Sequence, residues 1–155
     1  KKAVEKGKTA KTLEEIKLKE KDLYKNTIII FTTDHGIAFP GMKCTLTDHG
    51  IGVSLIIRGP HGFEDGQVID SMVSHLDIYP TICDLLDISK PNWLVGHSLL
   101  PLLDGNKEKI RSQIFAEVNY HTAYEPMRTV RTKSWKYIRQ FRTRTTAFIR
   151  NSYER

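Results

Sequence analysis

The sequence predicts an α/β fold, and three observations carry that prediction. Residues 28–31 (Ile-Ile-Ile-Phe) are an unbroken apolar run bounded by a polar, Gly-containing turn, the pattern of a strand buried on both faces as in the middle of a parallel sheet, and a second apolar run, Val53 to Ile57, reads as another strand. Helical periodicity precedes the first run and follows the second. Near the end, residues 127–131 and 135–141 read as strands of mixed polarity joined by a tight connection at 132–134, an antiparallel hairpin at the edge of the fold. At 155 residues the chain is expected to form one domain, large enough for folding to hide roughly two-thirds of the surface of the extended chain.

In chain order, residues 1–11 are lysine-rich and without apolar period, and are expected to form a flexible lead. Thr12 and Glu15 have the spacing of a capping box, and Leu13, Ile16 and Leu23 then recur at helical intervals, which predicts a helix over 13–24. The first strand runs into Thr33-Asp34-His35-Gly36. Pro40-Gly41 then marks a turn that would fold Lys43 back towards Asp34. The second strand closes at Arg58-Gly59-Pro60, and 61–66 is a loop. Asp77 is placed to cap a helix whose first turn tolerates Pro80, with Ile78, Ile82, Leu85 and Leu86 as its apolar stripe. Residues 90–106 are loop-like around an apolar patch at 99–103, and 114–118 reads as a short strand. The expected organisation is a lead (1–11), an α/β core (12–118), and a small β subdomain with a basic tail (119–155).

The formal charge of +6 is unevenly spread. Residues 1–26 hold nine lysines against five acids, and residues 128–155 nine Lys or Arg against Glu154 alone, so the middle is acidic. Basic ends attract polyanions, but no zinc-finger spacing, RNP-like aromatic pattern or helix-turn-helix signature accompanies them. No nucleic-acid partner is therefore expected; a sulfated glycan would be drawn by the same charges. No apolar stretch approaches the ~20 residues that span a bilayer, and no membrane association is expected. Two cysteines do not make a disulfide framework. Cys83 reads as a small core residue. Cys44 lies beside Lys43, whose ammonium would lower a thiol pKa, although a nucleophilic role also needs a base and a pocket. The chain does not begin with Met and is expected to be a piece of something longer.

Ligands in open α/β sheets sit beyond the carboxyl ends of the strands, where Asp34 and His35 fall. On a regular strand adjacent side chains point to opposite faces, so the two converge on one ion only if the turn has begun. The carboxylate suits calcium, magnesium or manganese, and the imidazole zinc or manganese. Two ligands do not close a metal site. Thr-Asp-His-Gly recurs fourteen residues later at Thr47, too short a period for a repeat architecture, and reads as a chance recurrence of a turn. His49, His61, His75, His97 and His121 have no metal-ligand spacing. His121, in Asn119-Tyr120-His121 after a predicted strand, is the one candidate among them for substrate binding.

The order of these motifs adds to each. Residues 26–36, Asn-Thr-Ile-Ile-Ile-Phe-Thr-Thr-Asp-His-Gly, are followed by Lys43 and Thr45, by Gly50-Ile51-Gly52-Val53, and by Ile56-Ile57-Arg58-Gly59-Pro60. Residues 73–82 (Val-Ser-His-Leu-Asp-Ile-Tyr-Pro-Thr-Ile), 96–103 (Gly-His-Ser-Leu-Leu-Pro-Leu-Leu), and Met127-Arg128-Thr129-Val130-Arg131 with Trp135-Lys136-Tyr137-Ile138 come next. Over about residues 20–140 this series resembles the C-terminal part of a sulfatase of the alkaline phosphatase superfamily, with residues 117–131 leaning to the heparan N-sulfatase-like branch. The resemblance implies part of an α/β/α sandwich with a small C-terminal antiparallel subdomain. It implies that Asp34 and His35 are metal ligands, usually to calcium, with manganese or zinc open because His stands where Asn is frequent. Lys43 matches the lysine that contacts the sulfate. The nucleophile, a formylglycine made within a Cys-x-Pro/Ala-Ser-Arg motif, is not in this chain, since neither Cys44 nor Cys83 lies in one. The implied activity is hydrolysis of a sulfate ester or sulfamate on a small molecule or glycan, together with the N-terminal part of the same enzyme, while this chain alone would be inactive. A metal-dependent phosphodiesterase or phosphonate hydrolase of the superfamily, and a non-enzymatic module for anionic polymers, are the alternatives.

Overall fold

The computed structural model describes residues 13–60, 62–63, 66–121 and 124–142. The lead expected over 1–11, the Thr12 cap, His61 and the basic tail from residue 143 lie outside the described residues. The chain divides into two compact units, one comprising Lys1–Ile30 and Ile56–Ile110, the other Phe31–Leu55 and Arg111–Arg155. The elements in order are α1 (Leu13–Glu20), β1 (Ile29–Thr32), α2 (Asp48–Ile51), β2 (Leu55–Arg58), α3 (Ile78–Leu85), α4 (Leu100–Leu103), β3 (Gln113–Tyr120), β4 (Tyr124–Thr132) and β5 (Lys136–Gln140).

In the first unit, α1 stops at Glu20, short of residue 24. Asp22 takes a left-handed φ of 56°, Leu23 N–H donates to Leu18 O at 2.9 Å and Asp22 N–H to Lys19 O at 3.1 Å. Those paired backward bonds satisfy the last carbonyls of a helix, and Asp is one of the few non-glycine residues that tolerates the conformation. α3 ends the same way: Asp87 has φ 52°, and Ile88 N–H reaches Cys83 O at 2.8 Å. The start of α3 differs from the simple cap expected of Asp77. Ser74 is the capping residue of a 3-10 turn, His75–Asp77, that leads into α3, and Asp77 is its reciprocal partner in a capping box. Pro80 sits in the first turn of α3 and is buried. The buried face of α3 is Pro80, Thr81 and Cys83, whereas Leu86 of the expected stripe is exposed. Phe63, Cys83, Leu99 and Leu102 are the buried apolar side chains here, and the patch at 99–103 forms the short α4.

β1 and β2 pair in a two-stranded sheet. Burial on both faces, expected for β1, is not observed: Phe31 is 55% exposed. With a single neighbouring strand, each strand of this pair keeps part of its apolar surface in contact with solvent.

In the second unit, β3, β4 and β5 form an antiparallel sheet in that order, one strand more than the expected hairpin. Glu125, Met127 and Thr129 alternate as the buried face of β4. The tight connection is as expected: Thr132 N–H donates to Trp135 O at 2.8 Å, and Trp135 N–H to Thr132 Oγ1 at 3.0 Å. Among the described residues no helix is long and apolar enough to cross a membrane.

Candidate active site

The candidate site lies in the second unit, on the chain leaving β1. Thr32 Oγ1 donates to Ser54 O at 2.7 Å and Ser54 N–H donates to Thr33 Oγ1 at 3.1 Å, which ties the strand exit to the approach to β2. Asp34 and His35 follow in a bend, outside the strand, so their side chains can share a side. His35 Nε2 stands 3.6 Å from Asp34 Oδ1, and His35 Nδ1 is 2.6 Å from Gly36 O. A carbonyl only accepts, so Nδ1 donates to Gly36 O, which leaves Nε2 as the ring nitrogen on the side of the carboxylate. Asp34 is 89% exposed and His35 half-buried.

The second Thr-Asp-His-Gly is not an idle recurrence. Gly36 N–H donates to Gly50 O at 3.0 Å and Ile37 N–H to His49 O at 3.1 Å, so the two tetrads are tied backbone to backbone. The approach is close enough to require both glycines: a Cβ on Gly36 would overlap His49 O, and one on Gly50 would overlap Thr45 O and Met42 O. The second tetrad forms the single turn α2, capped by Thr47, whose hydroxyl accepts from Gly50 N–H at 3.3 Å.

Two consecutive turns place Lys43. Phe39-Pro40-Gly41-Met42 closes with Met42 N–H to Phe39 O at 3.0 Å and Gly41 at φ 73°, the geometry of a type II turn with Pro and Gly in their preferred positions. Met42-Lys43-Cys44-Thr45 follows, with Thr45 N–H to Met42 O at 3.2 Å and Cys44 at φ 66°. A left-handed cysteine is uncommon; here Thr45 Oγ1 also donates to Met42 O at 2.7 Å and holds the turn. Lys43 thus lies in a loop closed by the same ladder that anchors Asp34-His35. His121 is exposed after β3. The expected lowering of the Cys44 thiol pKa is reversed, because burial pushes it up by more than Lys43 brings it down.

Sequence reasoning missed three residues. Asp48 of the second tetrad accepts from Lys136 Nζ at 2.6 Å and Arg131 Nε at 3.1 Å, and Lys136 Nζ also donates to Leu46 O at 2.8 Å. The Lys136 hydrogen bond, opposed by burial and helped by Arg131, holds the Asp48 carboxyl below its usual range. The cluster fastens α2, and with it the ladder beneath Asp34-His35, to β4 and β5. Only the repetition of the tetrad hinted at it in the sequence.

Comparison with known proteins bears on the identity of this arrangement. Residues 42–149 match the family described as N-sulphoglucosamine sulphohydrolase, C-terminal. Curated relatives include an ulvan-active sulfatase of Formosa agariphila, 30% identical over 134 residues, covering 83% of this chain and 26% of the relative. Canine arylsulfatase K (Canis lupus familiaris) is 33% identical over 132 residues, covering 78% and 24%. Human N-sulphoglucosamine sulphohydrolase (Homo sapiens) is 32% identical over 133 residues, covering 78% and 26%. The chain spans about a quarter of the length of these relatives. A solved structure, BT4656 in complex with its substrate D-glucosamine-2-N,6-O-disulfate, superposes with a TM-score of 0.71 at 24% identity, over 81% of this chain and 27% of that one. That likeness bears out the fold, an α/β region of sulfatase type with a small antiparallel subdomain. The chain belongs to the sulfatase family, as a C-terminal region of the N-sulphoglucosamine sulphohydrolase type.

Proposed function

We propose that this chain is the C-terminal part of an enzyme that hydrolyses a sulfate ester or sulfamate on a sugar, and that Asp34, His35 and Lys43 are its contribution to the active site. The observation that carries the site is the His35 ring. With Nδ1 committed to Gly36 O, Nε2 and Asp34 Oδ1 are the two atoms available to a cation, 3.6 Å apart on a braced turn. This donor set fits two adjacent ligand positions of a divalent cation, and a backbone acceptor on the far nitrogen is the outer support that metal-binding histidines use. Calcium suits the carboxylate, and the imidazole admits manganese or zinc. Among the described residues no group of three His, Cys, Asp or Glu could hold an ion, so the remaining ligands are assigned to the N-terminal part of the same enzyme.

The bound cation supplies Lewis-acid stabilisation of charge on the sulfate oxygens. A formylglycine, expected outside this chain, supplies the oxygen nucleophile. What this chain does is hold the cation through Asp34 and His35 and present the Lys43 ammonium to the negative charge that grows on the sulfate and leaving group. Burial pushes the Cys44 thiol up, which disfavours its thiolate form. His121, on the strand-end loop, is kept as a substrate contact.

The test is sulfate release from N-sulfoglucosamine and from 4-methylumbelliferyl sulfate. The intact protein is expected to turn over at least one of them and residues 1–155 alone neither. Lys43→Met in the intact protein lowers kcat by about 100-fold or more, with a smaller change in KM. Turnover by residues 1–155 alone, or a wild-type kcat in Lys43→Met, overturns the assignment.

A further inference from the structure

The three-stranded sheet holds two like-charge cross-strand pairs, one on each face. Arg131 and Lys136 are partners on the face that buries Met127 and Thr129, and Asp48 Oδ1 sits between them. Arg128 and Arg139 are partners on the opposite face. Like charges directly opposed destabilise a sheet. Each pair has one carboxylate near it, but Asp48 contacts both cations of the inner pair, whereas Glu117 contacts only Arg128 of the outer one. Glu117, the β3 partner of Arg128, takes Arg128 Nε at 2.8 Å. Arg128 Nη1 is occupied by Asn119 Oδ1 at 2.9 Å and Met127 O at 2.8 Å. Among the described residues no carboxylate pairs with Arg139. Its guanidinium lies over the Phe141 ring, 4.9 Å from the centroid, with that of Arg128 at 5.9 Å.

An aromatic row lies beside the arginines. Phe115, Val130 and Tyr137 are in register across the three strands, with Phe115 70% and Tyr137 64% exposed. Two strand spacings separate the rings by about 10 Å, and two residues of rise set them about 7 Å from the arginine row. Arginine forks match the oxygens of sulfate, and flat apolar rings suit the C–H faces of sugars.

We propose that this outer face is an accessory binding site for a sulfated glycan chain, with a sulfate group at Arg139 beside Arg128 and sugar rings against Tyr137 and Phe115. The call for a further anion comes from the register together with Arg139, which lies over Phe141 and has no carboxylate partner among the described residues. The choice of a glycan over another polyanion rests on the sulfatase reading above. The site is separate from Asp34, His35 and Lys43, and its function is to retain a polymeric substrate.

The experiment titrates the intact protein with a heparin-derived octasaccharide at several salt concentrations, beside the desulfated octasaccharide and a single-stranded DNA oligonucleotide. Binding of the sulfated octasaccharide is expected to survive Asp34→Ala, to weaken about tenfold in Arg139→Gln, and to lose salt dependence by roughly 0.7–0.9 in log–log slope there. Arg139→Lys, which keeps the charge without the fork, recovers part of the loss, and Tyr137→Ala weakens the sugar but not the oligonucleotide. Hydrolysis of 4-methylumbelliferyl sulfate is unchanged in Arg139→Gln. Wild-type affinity in both folded Arg139→Gln and Tyr137→Ala overturns the proposal, as does oligonucleotide or desulfated-sugar binding as tight as that of the sulfated octasaccharide. Octasaccharide binding in a protein with no sulfatase turnover would sink the catalytic reading and leave this site standing.

Discussion

Replacing Asp77 by alanine removes the acceptor for two backbone N–H groups at once. The residue is 0% exposed; one carboxylate oxygen accepts from Ser74 N–H at 2.7 Å and the other from His97 N–H at 2.9 Å. Its own carbonyl accepts from Thr81 Oγ1 at 2.5 Å, and Thr81 Oγ1 in turn accepts from Leu99 N–H at 2.9 Å, so the start of α3 and the segment 97–99 are joined at this position. Water cannot replace the lost acceptors at a site without solvent access. Each buried N–H left unpaired costs about 1–3 kcal/mol, so the two together cost about 2–6 kcal/mol. Against a stability of ~5–15 kcal/mol for an ordinary domain, that is a large fraction. Asp77→Asn separates the mechanism from simple loss of volume. Its amide offers one carbonyl oxygen, which keeps one N–H satisfied and turns an NH2 towards the other, for a loss of about 1–3 kcal/mol. Urea denaturation of the intact protein, followed by tryptophan fluorescence, reads both as falls in midpoint at constant slope. An Ala variant within about 0.5 kcal/mol of wild type, or an Asn variant as damaged as Ala, would refute the reasoning.

Two further expectations concern the second unit. Asp48, held below its usual carboxyl range by Lys136 and then Arg131, has a folded pKa under the unfolded one. Its contribution to stability is therefore present above the unfolded value and disappears as pH falls through the folded value. With its side chain 60% exposed, that contribution is below about 1 kcal/mol. Denaturation midpoints of wild type and Asp48→Asn should differ at neutral pH and converge as pH falls through the folded carboxyl value; a gap that stays constant on acidification would count against the ion cluster. Gly36→Ala forces a Cβ into His49 O, a backbone atom that cannot swing aside, at about 1–3 kcal/mol for overpacking. Hydrogen exchange should then show the Gly36 and Ile37 amides losing protection, and unchanged protection would mean the tetrads are not coupled.

What the sequence disclosed tracks how local the cause was. The Pro40-Gly41 turn, the two apolar strands and the hairpin connection at 132–134 each rest on chemistry within four or five residues, and each was legible. Both helix ends were not, because Asp22 and Asp87 occupy the left-handed position where glycine would have signalled a stop. Asp77 was legible as a capping residue, but its role depends on His97 N–H, 20 residues away. The Asp48 cluster joins residues 83 positions and more apart, and no periodicity reports such a contact. The direction of the Cys44 shift was misread for a related reason: the neighbouring charge is visible in sequence, whereas burial, the larger effect, is not. Of the candidate site, adjacency revealed Asp34 and His35, but the hydrogen bond that orients the imidazole belongs to the bend.

The central claim is that Asp34 and His35 hold a divalent cation for sulfate hydrolysis, and calcium binding tests it most directly. The intact protein, stripped with chelator and titrated with calcium, should bind one equivalent, and Asp34→Ala or His35→Ala should each weaken that binding by about tenfold or more while the fold is retained. Wild-type calcium stoichiometry and affinity in folded Asp34→Ala would contradict it.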